Sequence, residues 1–172
     1  MKPEIFFLKY AFPCSFVLIL RKEITKKEHH LLYKSAKEEK LYLTKKRMEK
    51  IFWRPMKFLK SVNNLDEIQK YWRFDHNTHV KEKEFKDFDE NLIEQCFVIP
   101  CEVVKVKKNK VEVKSPFLKK NIELNSDFVK VESGDKVTKH YDFICEKISE
   151  DLYKKMVENL KNVMNTTNWK IE

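Results

Sequence analysis

Glycine is almost missing from this chain: Gly134 is the one glycine in 172 residues. A glycine-rich phosphate loop or a dinucleotide fingerprint needs several residues that let backbone approach a phosphate, so ATPase and Rossmann functions are excluded. Long hydrophobic runs are lacking too. The strongest, Tyr10 to Leu20, covers about eleven residues against the about 20 that a bilayer requires, and reads as a buried segment rather than a span. A secretory signal is poorly matched, since Glu4 lies in the would-be basic leader, Lys9 interrupts the apolar part and no small-residue cleavage pattern precedes Arg21. Cysteine is too sparse for a dense disulfide framework, so Cys14, Cys96, Cys101 and Cys145 are expected as free thiols in a reducing cytoplasm.

What is present is a globular composition, 42% hydrophobic and 37% charged, in a chain long enough for one domain or two small ones. The +9 net charge is uneven: residues 1–90 hold 21 basic against 14 acidic residues, a net of +7, and the remainder hold 15 against 13, a net of +2. A basic surface is therefore expected on the first half.

Thr25-Lys26-Lys27-Glu28 has the form of a capping box and predicts a helix over about 26–39. A second helical segment, Thr44 to Trp53, carries Met48, Ile51 and Phe52 as its apolar stripe, and Pro55 predicts a break or kink. A third starts at the Asn63-Asn64 cap with Leu65, Ile68, Tyr71 and Trp72 on one face. Between His76 and Glu90 the chain is polar and charged, as suits a connector or a short exposed helix.

Beyond Leu92 the period changes from helical to alternating. Val104 and Val106, then Val111 and Val113, alternate with charged residues around a Lys107–Lys110 turn and predict a β-hairpin. Ile122 and Leu124 suggest another strand, and Ser133-Gly134-Asp135 a turn before a strand at Val137 to Tyr141. Ser149 then caps a helix whose stripe is Leu152, Met156, Leu160 and Val163. The expected architecture is α+β: a helical module over 1–90, then over 91–172 a small OB-like antiparallel β-barrel with a C-terminal α-helix.

Cys96-Phe97-Val98-Ile99-Pro100-Cys101-Glu102-Val103 opening a barrel, and Gly134-Asp135-Lys136-Val137-Thr138-Lys139-His140 near its end, resemble the opening and closing motifs of the HypC/HupF hydrogenase-assembly chaperones. The resemblance runs from about Cys96 to Val163 and departs from the family in two places. The family cysteine stands at the N-terminus, whereas Cys96 follows a whole module, and the family glycine is here Cys101. Tyr10-Ala11-Phe12-Pro13, Tyr71-Trp72 and His140-Tyr141-Asp142-Phe143-Ile144-Cys145 further resemble the hallmarks of a group of uncharacterised prokaryotic proteins that join a helical region to such a barrel.

The HypC resemblance implies a non-catalytic accessory protein that holds an iron fragment through Cys96 and His140 and docks a hydrogenase large subunit or a maturation factor. It implies a partner surface of Cys96, Ile99, Pro100, Cys101, His140, Tyr141 and Asp142, with the thiol and imidazole side by side and open to an incoming molecule. Thiolate and imidazole suit low-valent iron, the remaining positions being filled by other ligands. The competing reading of Cys96 is a small apolar core residue, and of His140 a strand histidine bonded to a carbonyl, with Asp142 on the same face able to orient it. Cys101 and Cys145 could join them in a Cys3His zinc site, though closely spaced cysteine knuckles are absent. His29, His30, His76 and His79 are expected to be solvated or partner-contacting. No catalytic constellation is visible, so no enzyme is expected. The second reading is a basic small-barrel nucleic-acid binder, supported by lysines and arginines interleaved with Tyr33, Tyr42, Phe52, Trp53 and Tyr71.

Overall fold

The structure, a computed structural model, describes residues 1–81, 95–108 and 110–165, and the chain divides into two compact units, Met1–Trp72 and Arg73–Glu172. The expected α+β order of helical part, small barrel and final helix is present. The division falls earlier than the anticipated boundary near residue 90, which lies outside the described residues. Asn77 and Val80 explain the difference, the first bonded and the second packed to the barrel.

The first unit begins with α1 (Pro3–Ala11), a 3-10 turn (Phe12–Cys14) and α2 (Ser15–Leu20). Pro3 sits in the first turn of α1, where a missing N–H has no helical partner to lose. Residues 4–11 are buried, so α1 is a core helix apolar on nearly every side. Its charges are matched: Lys9 Nζ lies 2.7 Å from Glu39, and Lys45 Nζ lies 3.3 Å from Glu4. The apolar helical stretch is longer than the eleven residues expected. Pro3–Leu20 spans 18 residues and is, by length and composition alone, apolar enough to cross a membrane; 67% of it is buried inside the protein.

The capping box forms as predicted: Thr25 N donates to Glu28 at 2.9 Å and Glu28 N to Thr25 Oγ1 at 3.1 Å. It opens α3 (Lys26–Glu38), which ends on Glu39 in the left-handed region. Thr44 caps α4 (Lys45–Ile51). The break expected at Pro55 falls at Phe52 (φ −96°, ψ 46°), because Pro55 occupies the first turn of α5 (Trp53–Met56), where proline is tolerated. Asn64 caps α6 (Leu65–Lys70), and a π-helical stretch, Tyr71–Asp75, follows. The core is aromatic: Trp72 stacks on Tyr10 with centroids 5.4 Å apart, and Phe7 meets Trp72 at 6.0 Å and Phe52 at 5.9 Å.

The second unit contains α7 (His76–His79), then β1 (Ile99–Lys107), β2 (Lys110–Lys114), β3 (Ile122–Asn125), β4 (Lys136–His140), β5 (Phe143–Ile148) and α8 (Glu150–Asn165). The strands close in the order β1-β2-β3-β5-β4. The barrel is mixed rather than wholly antiparallel, since β3 and β5 run parallel through the pair Asn125 and Phe143. A bulge between Val103 and Lys105 resets the alternation of β1. Val103, Val111 and Val113 are sealed in the core, while Val104 and Val106 are left outside. Gly134 turns the chain with φ +91° and donates its N–H to Val103 O at 2.8 Å; a Cβ there would meet no atom within 4 Å, so the requirement is conformational. Ser149 Oγ accepts from Leu152 N at 3.2 Å and starts α8, whose Met156, Leu160 and Val163 are buried.

Candidate metal centre

Cys96 lies just before β1 and His140 ends β4, and the β1–β4 ladder, in which Ile99 pairs with Lys139, carries these remote residues to one place. The Cys96 sulfur and a ring nitrogen of His140 lie within 4.8 Å of each other. Two polar residues of α7 fix the approach to β1. His76 Nε2 is 3.0 Å from Cys96 O, and the Asn77 amide pairs with the backbone of Val98 in both directions, each bond 2.8 Å. The His76 ring stands edge-on to that of His140, with centroids 5.2 Å apart, and the Tyr141 ring is likewise edge-on to His140 at 5.1 Å.

His76 is thus buried beside the pair and not solvated as expected. The sequence offered one signal for it, the His76-Asn77 dipeptide, whose side chains are the right length to substitute for a strand partner. Arg73 Nε, on the same approach, donates to Glu146 of β5 at 3.2 Å.

The pair is closed rather than open. Cys96 is 4% exposed and His140 is fully buried. Ile99, Pro100 and Cys101 are buried as well, so of the anticipated partner surface only Tyr141, in part, and Asp142 reach solvent. Tyr141 adopts φ +50° and its N–H donates to Gln95 O at 2.8 Å, which interrupts the strand alternation. Asp142 consequently does not share the His140 face; its carboxylate accepts from Asn125 Nδ2 at 3.1 Å.

Cys101 and Cys145 are held separately. Each thiol donates to the carbonyl two residues back on its own strand, Ile99 O at 3.5 Å and Phe143 O at 3.8 Å. Burial pushes the Cys101 thiol up to about 12, so it stays protonated at neutral pH. Among the described residues neither joins Cys96 and His140 in a group at ligand distance, and the Cys3His arrangement is not formed.

The donor chemistry fits a metal. Sulfur and imidazole nitrogen bind iron and zinc alike, and two protein ligands leave further positions to other donors. No family model, curated protein or solved structure matches the chain. The reading of the site therefore rests on its own atoms. The His140 ring contacts two aromatic rings, His76 and Tyr141, and the Cys96 carbonyl is bonded to His76, so both donors are supported by groups outside the ligand pair.

Proposed function

We propose that this protein is a non-catalytic accessory protein that holds iron through Cys96 and His140, in the manner implied by its resemblance to the HypC chaperones. The observation that carries the reading is the approach of the Cys96 sulfur to a His140 nitrogen, within 4.8 Å, from segments more than forty residues apart in the chain. Within Arg73–Glu172 the described donors at this place are Cys96 and His140, fewer than the four of a closed structural site, which suits a cargo that brings ligands of its own. The exposed Tyr141–Asp142 turn, adjoining His140, is the part of the motif that a hydrogenase subunit or maturation factor would meet.

The test is anaerobic loading with Fe(II), followed by metal analysis and, with Co(II) as a probe, by the thiolate-to-metal absorption band. The folded wild type should retain metal. Cys96→Ser and His140→Ala should each lower retention about 10- to 100-fold, the range typical of disturbing a metal site. Retention unaltered by either change rejects the site. Failure of the wild type to capture a hydrogenase large subunit from a host extract would leave a metal holder without that partner.

No specific observation favours the nucleic-acid reading of the barrel. Arg73–Glu172 holds 19 basic and 19 acidic residues, a net of zero.

A further inference from the structure

The largest exposed apolar side chains of the helical unit, apart from Met1, are Phe16 (61% exposed), Leu20 (68%) and Trp53 (43%). Phe16 and Leu20 are four residues apart on α2 and share one face. Glu23 draws that helix end and α5 together: its carboxylate lies 4.0 Å from Arg21 and 3.9 Å from Arg54. Leu20 precedes Arg21 and Trp53 precedes Arg54, so the two arginines that share the Glu23 carboxylate each follow an exposed apolar residue in the chain. Arg54 and Lys57 both lie over the Trp53 ring, 4.6 and 4.5 Å from its centroid. Exposed Lys22 adds a further cation. The exposed apolar side chains of this unit thus lie close in sequence to basic ones, Phe16 and Leu20 to Arg21 and Lys22, and Trp53 to Arg54 and Lys57.

We propose that these residues dock the helical unit on an anionic lipid surface. Met1–Trp72 holds 17 basic against 8 acidic residues, a net of +9, which equals the charge of the whole chain and gives the unit complementarity to anionic headgroups. A tryptophan capped by cations, and an exposed Phe16–Leu20 face followed by Arg21 and Lys22, have the amphipathic form that suits the boundary between headgroups and acyl chains. The contact is superficial. The buried two-thirds of Pro3–Leu20 is core, and Phe16 and Leu20 belong to the remaining third that faces outward.

The experiment is vesicle flotation of the full chain, with phosphatidylcholine alone and with phosphatidylcholine mixed with phosphatidylglycerol. Binding to the mixed vesicles alone is expected, weakening as salt is raised. Phe16→Ser with Leu20→Ser should lower the partition coefficient at least about tenfold. Arg54→Gln with Lys57→Gln should lower it about fivefold per charge removed. Trp53→Ser provides a second apolar variant, and far-UV circular dichroism checks that each variant is folded. Equal binding to neutral vesicles overturns the proposal, as does indifference to all three variants. So does a protein that resists alkaline carbonate, because that marks a span. If the same substitutions abolish RNA retardation or self-association while vesicles are ignored, these residues belong to another partner and the proposal fails. None of these outcomes bears on metal retention by Cys96 and His140.

Discussion

The helical and barrel units reach a folded core by different routes. Met1–Trp72 buries rings, with Phe52, Phe7, Trp72 and Tyr10 touching in succession, and holds its helices with local caps at Thr25, Thr44 and Asn64. Arg73–Glu172 buries β-branched aliphatics, Val103, Val111, Val113, Val137 and Ile144, and is held by strand pairs between distant segments. One unit carries the net charge of the chain and the other carries none. The comparison teaches that the net charge and the Cys96–His140 pair belong to different parts of the sequence.

Four measurements can break or sharpen that contrast. The largest effect is expected for Trp72→Ala, which empties the aromatic core and should cost about 3–5 kcal/mol in urea unfolding followed by helical circular dichroism. Asn77→Ala comes next. It strands the Val98 N–H and C=O, both buried, and should cost the second unit about 2–4 kcal/mol while also lowering metal retention through Cys96. An unchanged midpoint would show that the strand approach needs no clamp. Thr25→Ala, which removes the capping box, should cost about 1 kcal/mol, again read from the urea midpoint.

The smallest effect is on acid sensitivity. The Thr25 N–H, then Arg47, hold the Glu28 carboxyl below its ordinary value, and Lys136, then Lys114, do the same for Glu102. A lowered carboxyl contributes stability above the ordinary carboxylate range, about 4.3, and loses it as pH falls through the lower value of the folded state. Unfolding midpoints measured from about pH 6 down to about pH 3 should therefore drop, and Glu28→Gln and Glu102→Gln should each flatten the fall. One carboxylate sits in each unit, so the two substitutions test whether acid acts on both.

Much of the fold was legible because it depends on neighbours in the chain. The Thr25 box, the Asn64 and Ser149 caps and the Val111/Val113 alternation are local signals, and each formed as expected. β5 escaped notice because its Phe143-Ile144-Cys145 run reads as part of the His140 motif, although it pairs antiparallel with the preceding strand β4. Val104 and Val106, whose alternation predicted the hairpin, are exposed while Val103 is buried, and the bulge between Val103 and Lys105 has no residue that announces it. At the candidate site the nearness of Cys96 and His140 followed from family-like motif order, whereas its closure did not. His76 and Asn77 sit in a stretch whose polarity suggested solvent, and only the distant carbonyls they bond explain their burial.

The barrel's circumference is sealed at one rung, the Asn125–Phe143 pair, supported by Asn125 N–H donating to Asp142 O at 2.7 Å and by the stacked rings of Phe128 and Phe143, 4.9 Å apart. Every other junction has at least four paired residues. In a hydrogen-exchange experiment the amide of Asn125 is accordingly expected to take up deuterium ahead of those in the Val111–Leu124 and Val137–Lys147 pairings, the cylinder unrolling from this join before its walls come apart.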